Sequence, residues 1–333
     1  MLASLSFAQI TEVFNDEDKA RDLLESLRWR DGVRCPHCEG VRAYKIVAKS
    51  ETSKTRKGLW KCADCRKQFT VTVGTIFEGT RIPLGKWLMA IHLICGAKKG
   101  ISTLQLMRHL WGDSNKAKTP SGQWKKTHYK TAWFMAHRIR YAMSQEPLAG
   151  KLKGVVEVDE SYIGGKSRNM HAKQRAKSLE GKKGGSTGKA PVITLVERAG
   201  RVKTRHIEHV TSNNLREVLK ECVAIEAGLM TDEHHLYREI GPRFKTHEAV
   251  NHSAKEYVRG SCHVNTAESV HALLKRGVIG TYHHWSKKHL HRYLAEFDFR
   301  WNTRKISDGE RTAEAIAIVG GKRLKYSDPI KKR

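Results

Sequence analysis

The chain has 333 residues, 62 Lys+Arg against 34 Asp+Glu, and a formal net charge of +28. Such a surface has to meet something anionic, either nucleic acid or an acidic membrane face. Hydrophobic residues make up 39%, enough for a buried core, but no run approaches the ~20 apolar residues of a membrane span, and the opening MLASLSFAQITEVFNDED turns acidic too early for a signal peptide. These features describe a soluble, cytoplasmic, nucleoid-associated protein of two or three domains.

In chain order, residues 16–29 read as an amphipathic helix, with Asn15 as N-cap and Leu23, Leu24 and Leu27 at helical spacing. Two CxxC pairs follow, and the alternating, β-branched stretch 69–77 reads as strand. Helical pattern resumes over 84–111. Residues 113–128 are polar and broken by Pro120 and Gly122, a loop, and another helix runs over about 130–144. The segments ISTLQLMRHL and YKTAWFMAHRIR could form a helix-turn-helix, with Tyr129, Lys130 and Thr131 at the exposed start of the groove-reading helix. A plain helical connector packed through Trp133, Phe134 and Ile139 is the alternative.

At 155 the texture changes to α/β. VVEVDESYIGG reads as a strand, followed by a basic, Gly- and Ser-rich loop over 166–190. Two strands joined at Ala199-Gly200 make a hairpin, NNLREVLKECVAIEAG a helix, LMTDEH a short strand and HEAVNHSAKEYV a weaker strand or loop. Helices beginning at NTAESV and SKKHLH close the segment.

Two groups of residues carry chemistry. Cys35 and Cys38 are separated by 23 residues from Cys62 and Cys65. Paired CxxC turns at this distance make a four-thiolate Zn²⁺ site, structural because four protein ligands leave no position for substrate. Trp60 and Phe69 supply its small core, His37 faces solvent, and Lys54, Arg56, Lys57 and Lys61 lie close enough to hold DNA or simply to be solvated. The other three cysteines are scattered, and seven in all argues against a disulfide framework.

The second group is acidic. Asp159 lies in a strand, Asp232 ends a short strand, and Glu268 opens a helix with 35 residues between it and Asp232. Carboxylates converging from separate elements hold paired divalent cations in nucleases. Taken singly, each is ordinary, a turn former or a helix-dipole partner. Glu157 shares a strand face with Asp159 and rivals it, Glu160 points to the opposite face, and Glu233 is a weaker rival to Asp232.

The sequence resembles bacterial insertion-sequence transposases that pair an N-terminal zinc ribbon with an RNase-H-like Asp-Asp-Glu catalytic domain. LRWRDGVRCPHC and LWKCADCRKQFTVTVGTIFEGTRIPLGKWLMAI carry the resemblance in front; EVDESYIGG, MTDEHHLY and the long block HVNTAESVHALLKRGVIGTYHHWSKKHLHRYLAEFDFRWNTR carry it behind. The chain departs from that pattern in its longer loop 113–128 and in Ser161, where Thr is frequent. The resemblance implies a mixed five-stranded sheet with Asp159, Asp232 and Glu268 on one edge. They would hold two Mg²⁺ or Mn²⁺ ions, Asp159 bridging both. It implies cleavage of element ends and joining of their 3′ hydroxyls to target double-stranded DNA, by a homodimer or larger synaptic assembly. His263, Asn265 and Lys275 belong to the same block as candidate DNA contacts. Capping for Asn265 and solvation for Lys275 are the plainer readings.

The expected organisation is an N-terminal helical segment (1–32), a zinc ribbon (33–80), a helical DNA-binding region (81–150), an RNase-H-like catalytic domain (151–310) and a basic tail (311–333). Two alternatives stand beside it: a zinc-ribbon regulator without catalysis, and a nuclease of the same fold that only hydrolyses.

Overall fold

A computed structural model of the chain describes residues 4–47, 55–112, 128–144, 150–164, 171, 172, 176, 188–325 and 328. It divides into two compact units, one formed by 1–143 together with 305–333, the other by 144–304. Most of the loop at 113–128, most of the basic loop at 166–190, and Lys54 lie outside the described residues. No helix among the described residues is long and apolar enough to cross a membrane.

The first unit opens on two helices, α1 (Phe7–Phe14) and α2 (Glu17–Arg28). α1 begins in a capping box, where Ser6 and Gln9 satisfy each other's free N–H groups. α2 is capped by Asp16 rather than Asn15, because the Asp16 carboxylate accepts from Asp18 N and Lys19 N. Three short antiparallel strands follow, β1 (Ala43–Lys45), β2 (Trp60–Cys62) and β3 (Gln68–Phe69). The strand expected over 69–77 is confined to β3. Beyond it the chain turns repeatedly, with Val73 N–H donating to Thr70 O and Thr75 N–H to Thr72 O, so the β-branched side chains pack without a ladder.

Next come α3 (Leu84–Gly96), α4 (Thr103–Trp111) and α5 (Tyr129–Ala142). α3 is apolar on nearly all sides and runs through the unit's centre, burying Trp87, Leu88, Ile91 and Ile94. α1 approaches it closely at Gly85, where an added Cβ would come within 2.3 Å of the Phe14 carbonyl. The stretch expected as a basic tail from 311 begins inside a last helix, α10 (Asp308–Ala317). It has its own capping box at Ser307 and Glu310, and its buried Ala313, Ala315 and Ile316 show why it packs onto α3 and α2. Its alanines are a helical repeat that the high local charge obscures.

The second unit is a three-layer α/β domain. Its strands are β4 (Val155–Ile163), β5 (Ala190–Glu197), β6 (Val202–His206), β7 (Gly228–Thr231) and β8 (Thr246–Ala249), in the spatial order β6-β5-β4-β7-β8. β4, β5 and β6 are antiparallel, while β7 joins β4 and β8 joins β7 in parallel. This is the mixed five-stranded sheet of an RNase-H-like arrangement. Helix α6 (Ser212–Cys222) and the short α7 (Tyr237–Ile240) cover one face, with Leu215 and Leu219 against Val156, Val158 and Leu195. Helices α8 (Asn265–Gly277) and α9 (Leu290–Asn302) cover the other, with Val270, Leu274 and Phe297 against Val192 and Val196. β5 is buried on both faces, which is why its sequence reads as a continuous apolar run.

Candidate active site

The two cysteine pairs meet. One sulfur from each of Cys35, Cys38, Cys62 and Cys65 lies within 4.8 Å of the others. Cys35 Sγ stands 3.6 Å from Cys65 Sγ, and Cys38 Sγ 3.7 Å from Cys62 Sγ. A disulfide needs about 2.0 Å. Four thiolates around one zinc at roughly 2.3 Å put their sulfurs about 3.7 Å apart, so the donor set fits that ion. The His37 N–H points at Cys35 Sγ from 3.4 Å, while the His37 ring edges onto Phe69, away from the ligand set. Trp29, Trp60 and Phe69 pack edge to face beside the sulfurs. Lys57 is tied to Asp18 rather than left for a partner.

The acidic site forms at the end of the parallel β4–β7 pair. The last paired residues are Glu157 and Met230. Two residues further along each chain stand Asp159, still in β4, and Asp232, just past the end of β7 at Thr231. One oxygen each of Asp159, Glu160 and Asp232 lies within 4.8 Å of the other two. Glu160 does point to the opposite face of β4, toward Tyr237, yet its carboxylate still reaches the other two. β4 does alternate, but Asp232 stands off the ladder at the strand end, where carboxylates from both faces of β4 can reach it. The signal was the Asp-Glu dipeptide itself.

The electrostatics are those of crowded like charges. Burial, with the charges of Asp232 and Asp159 alongside, pushes Glu160 up to about 7, against the hydrogen bond that Tyr237 donates to it. Burial also raises Asp232 above its ordinary value, together with the Asp159 charge and against a hydrogen bond from His234 N–H. The buried Tyr237 hydroxyl is pushed well above its usual range by burial and by Glu160. An Mg²⁺ or Mn²⁺ ion takes oxygen ligands at roughly 2.1 Å. Three carboxylates at this separation, mutually repelling and partly buried, fit such a cation with small side-chain adjustments.

Glu268 is outside that trio. It is exposed in the first turn of α8, and the structure ties this helix to β4 on either side of it. One turn later His271 is buried, with Nδ1 3.2 Å from Asp159 Oδ2 and Nε2 2.8 Å from Thr194 Oγ1. Thr194 is the β5 residue paired with Asp159. Glu157 is fully buried and is engaged by Arg198 and the start of α8, so it is not a free rival to Asp159. Glu233 is also engaged elsewhere. It accepts from the Ser253 hydroxyl and from the N–H groups of Ser253 and His252, which hold it down at about 2.

Of the candidate DNA contacts, Asn265 and Lys275 are exposed on α8. His263 is half-buried, its Nδ1 3.3 Å from Glu157 Oε1 without the alignment of a hydrogen bond. In the other unit, Lys130 is exposed and Thr131 half-buried at the start of α5. α4 and α5 pack on each other, but most of the loop joining them is undescribed.

Residues 151–302 match the family described as ISXO2-like transposase domain, and residues 15–68 match the transposase zinc-ribbon domain. Together the two segments take in more than half of the chain. The chain is also 29% identical over 297 residues, 87% of its own length and 92% of the relative's, to an uncharacterized protein in transposable element ISH50 of Halobacterium salinarum.

Proposed function

The chain belongs to the ISXO2-like transposases that carry a zinc ribbon, and from that premise we propose that it binds element ends, cleaves them and joins the freed 3′ hydroxyls to target DNA. The observation that carries this reading is the meeting of Asp159 and Asp232 at the end of the parallel β4–β7 pair, inside the segment that matches the transposase domain.

Asp159, Asp232 and Glu268 are the residues we assign to hold a divalent pair, with Glu160 as a fourth carboxylate in reach. Bound there, two Mg²⁺ or Mn²⁺ ions would activate the attacking oxygen and neutralise charge on the leaving one. Water attacks the phosphodiester at the element's end and leaves a 3′ hydroxyl. That hydroxyl then attacks a target phosphodiester in line and displaces the target's own 3′ oxygen. Burial raises the Glu160 carboxyl to about 7, and the Tyr237 hydroxyl, which donates to it, keeps its side chain oriented. The excess of Lys and Arg tracks the phosphates, so binding weakens steeply with salt. The four cysteines hold one structural zinc. Bringing two ends together calls for a homodimer or larger assembly in the cytoplasm.

A strand-transfer assay with labelled element ends tests the reading. The wild-type chain should give joined product with Mg²⁺ or Mn²⁺, and Asp159→Ala should give none while still shifting end DNA. Cleaved but never joined ends would favour a nuclease that only hydrolyses. Joined product from Asp159→Ala would overturn the assignment.

A further inference from the structure

The acid trio leaves Glu268 without an account of what fixes it, since its side chain is exposed and its helix has no side-chain N-cap: Val264 stands at that position. The free N–H groups of a helix start must find acceptors. Here they find one from the sheet. Glu157 Oε2 accepts from Thr266 N at 2.8 Å and from Ala267 N at 3.2 Å, and Glu157 Oε1 accepts from Thr266 Oγ1 at 3.0 Å. The same carboxyl pairs with Arg198, whose Nε donates to Oε1 at 2.9 Å and whose Nη2 donates to His263 O at 3.1 Å. Glu157 is entirely buried, and a buried carboxylate persists only where its charge and lone pairs are met. A helix N-terminus and a guanidinium meet both needs.

Three features coincide. Glu157 lies two residues before Asp159 on the same face of β4. It binds the two residues immediately before Glu268. His271, three residues after Glu268, reaches Asp159 and Thr194. Glu268 is thus bracketed, one residue behind and three residues ahead, by contacts to the sheet that carries Asp159.

We infer that Glu157 is a positioning residue: it acts through the first turn of α8 to hold Glu268 at the divalent-cation site. The inference rests on the proposal that Glu268 is a cation ligand, and it assigns Glu157 no contact with substrate. Outer-shell partners of metal ligands typically account for roughly 10–100-fold in metal affinity, and a ligand left to swing free loses the benefit of pre-placement.

The test is Mn²⁺ binding by the full-length, zinc-loaded chain, titrated by electron paramagnetic resonance without DNA. Glu268→Ala, Glu157→Gln and the double variant are compared with wild type, with thermal melting as a folding control. Glu157→Gln should weaken Mn²⁺ binding by roughly tenfold or more, and the double variant should bind no more weakly than Glu268→Ala alone, because both changes remove one ligand. Thr266→Ala, which withdraws a single hydrogen bond and keeps the buried charge paired, should give a smaller loss in the same direction and serves if Glu157→Gln does not fold. Unchanged affinity in folded Glu157→Gln, unchanged affinity in Thr266→Ala where Glu157→Gln does not fold, or losses that multiply in the double variant, would overturn the inference and leave Glu268 a ligand. Unchanged affinity in Glu268→Ala would overturn the ligand assignment itself, and the inference with it.

Discussion

The zinc ribbon and the acidic site gather metal-ligating residues by opposite means. In the ribbon, two tight turns each present two sulfurs, and Cys35, Cys38, Cys62 and Cys65 converge within one short segment. In the α/β unit, Asp159 and Asp232 come from strands neighbouring in space but 73 residues apart in number, and Glu160 joins only because β7 stops one residue before Asp232. Four thiolates at this spacing would complete the coordination of one zinc ion. The acid site keeps carboxyls partly buried and close together, and burial, with the neighbouring charges alongside, shifts Glu160 and Asp232 upward. A closed thiolate set holds a fold together, whereas a cluster of partly buried carboxylates suits the cation uptake proposed above.

The largest effect expected from this contrast is on the ribbon. Cys62→Ser should release zinc and unfold the three-stranded module, since structural zinc in such small modules contributes roughly 10 kcal/mol or more. Zinc content and circular dichroism would read it, and a folded, zinc-free variant would break the contrast. Chelating the divalent cation from the acid site should leave the secondary structure in place.

Next is catalysis. Asp232→Ala should lower strand transfer by roughly a thousandfold or more, because several kcal/mol of charge stabilisation are lost at about 1.4 kcal/mol per factor of ten. End binding, read by gel shift, should stay within about threefold, since phosphate contacts carry it.

A third outcome concerns pH. Glu160 is raised to about 7 from an ordinary 4.5. Between those values the folded protein holds a proton that the unfolded chain has released, so unfolding gains as pH rises. In the absence of divalent cations, the melting temperature of Glu160→Gln relative to wild type should therefore climb from pH 4.5 to 7 and level off above. Saturating Mg²⁺ should flatten the trend. A difference that does not change with pH would show that burial and the neighbouring charges do not raise Glu160.

The smallest effect is at the surface. If Lys275 meets a phosphate, Lys275→Ala should weaken end binding a fewfold and reduce the slope of log affinity against log salt by about 0.9.

What the sequence made legible follows the same division. The ribbon could be read because its ligands are spaced by local turn geometry, and the sheet because β5 carries a continuous apolar run and β4 and β7 carry short apolar stretches. Asp159 was legible as an acid inside a strand and Asp232 as an acid at the end of one. The acidic neighbourhood was harder. Strand alternation correctly places Glu160 on the far face, toward Tyr237, but gives no sign that its carboxylate still reaches Asp159 and Asp232. The roles of Glu157 and His271 depend on how α8 lies across the sheet, which no period in the sequence encodes. The strand expected over 69–77 failed for a related reason: β-branched residues there satisfy burial through turns. The stretch from 311 was read as a basic tail, and its first residues prove to close α10, whose alanine spacing the charge obscured.

The central claim is that acids remote in the sequence share divalent cations. Its most direct test is an anomalous difference map from crystals of the chain grown with Mn²⁺. Density should appear touching the carboxylate oxygens of both Asp159 and Asp232, and should vanish in Asp159→Asn crystals grown alike. Manganese bound elsewhere, with those two side chains facing apart, would contradict the account.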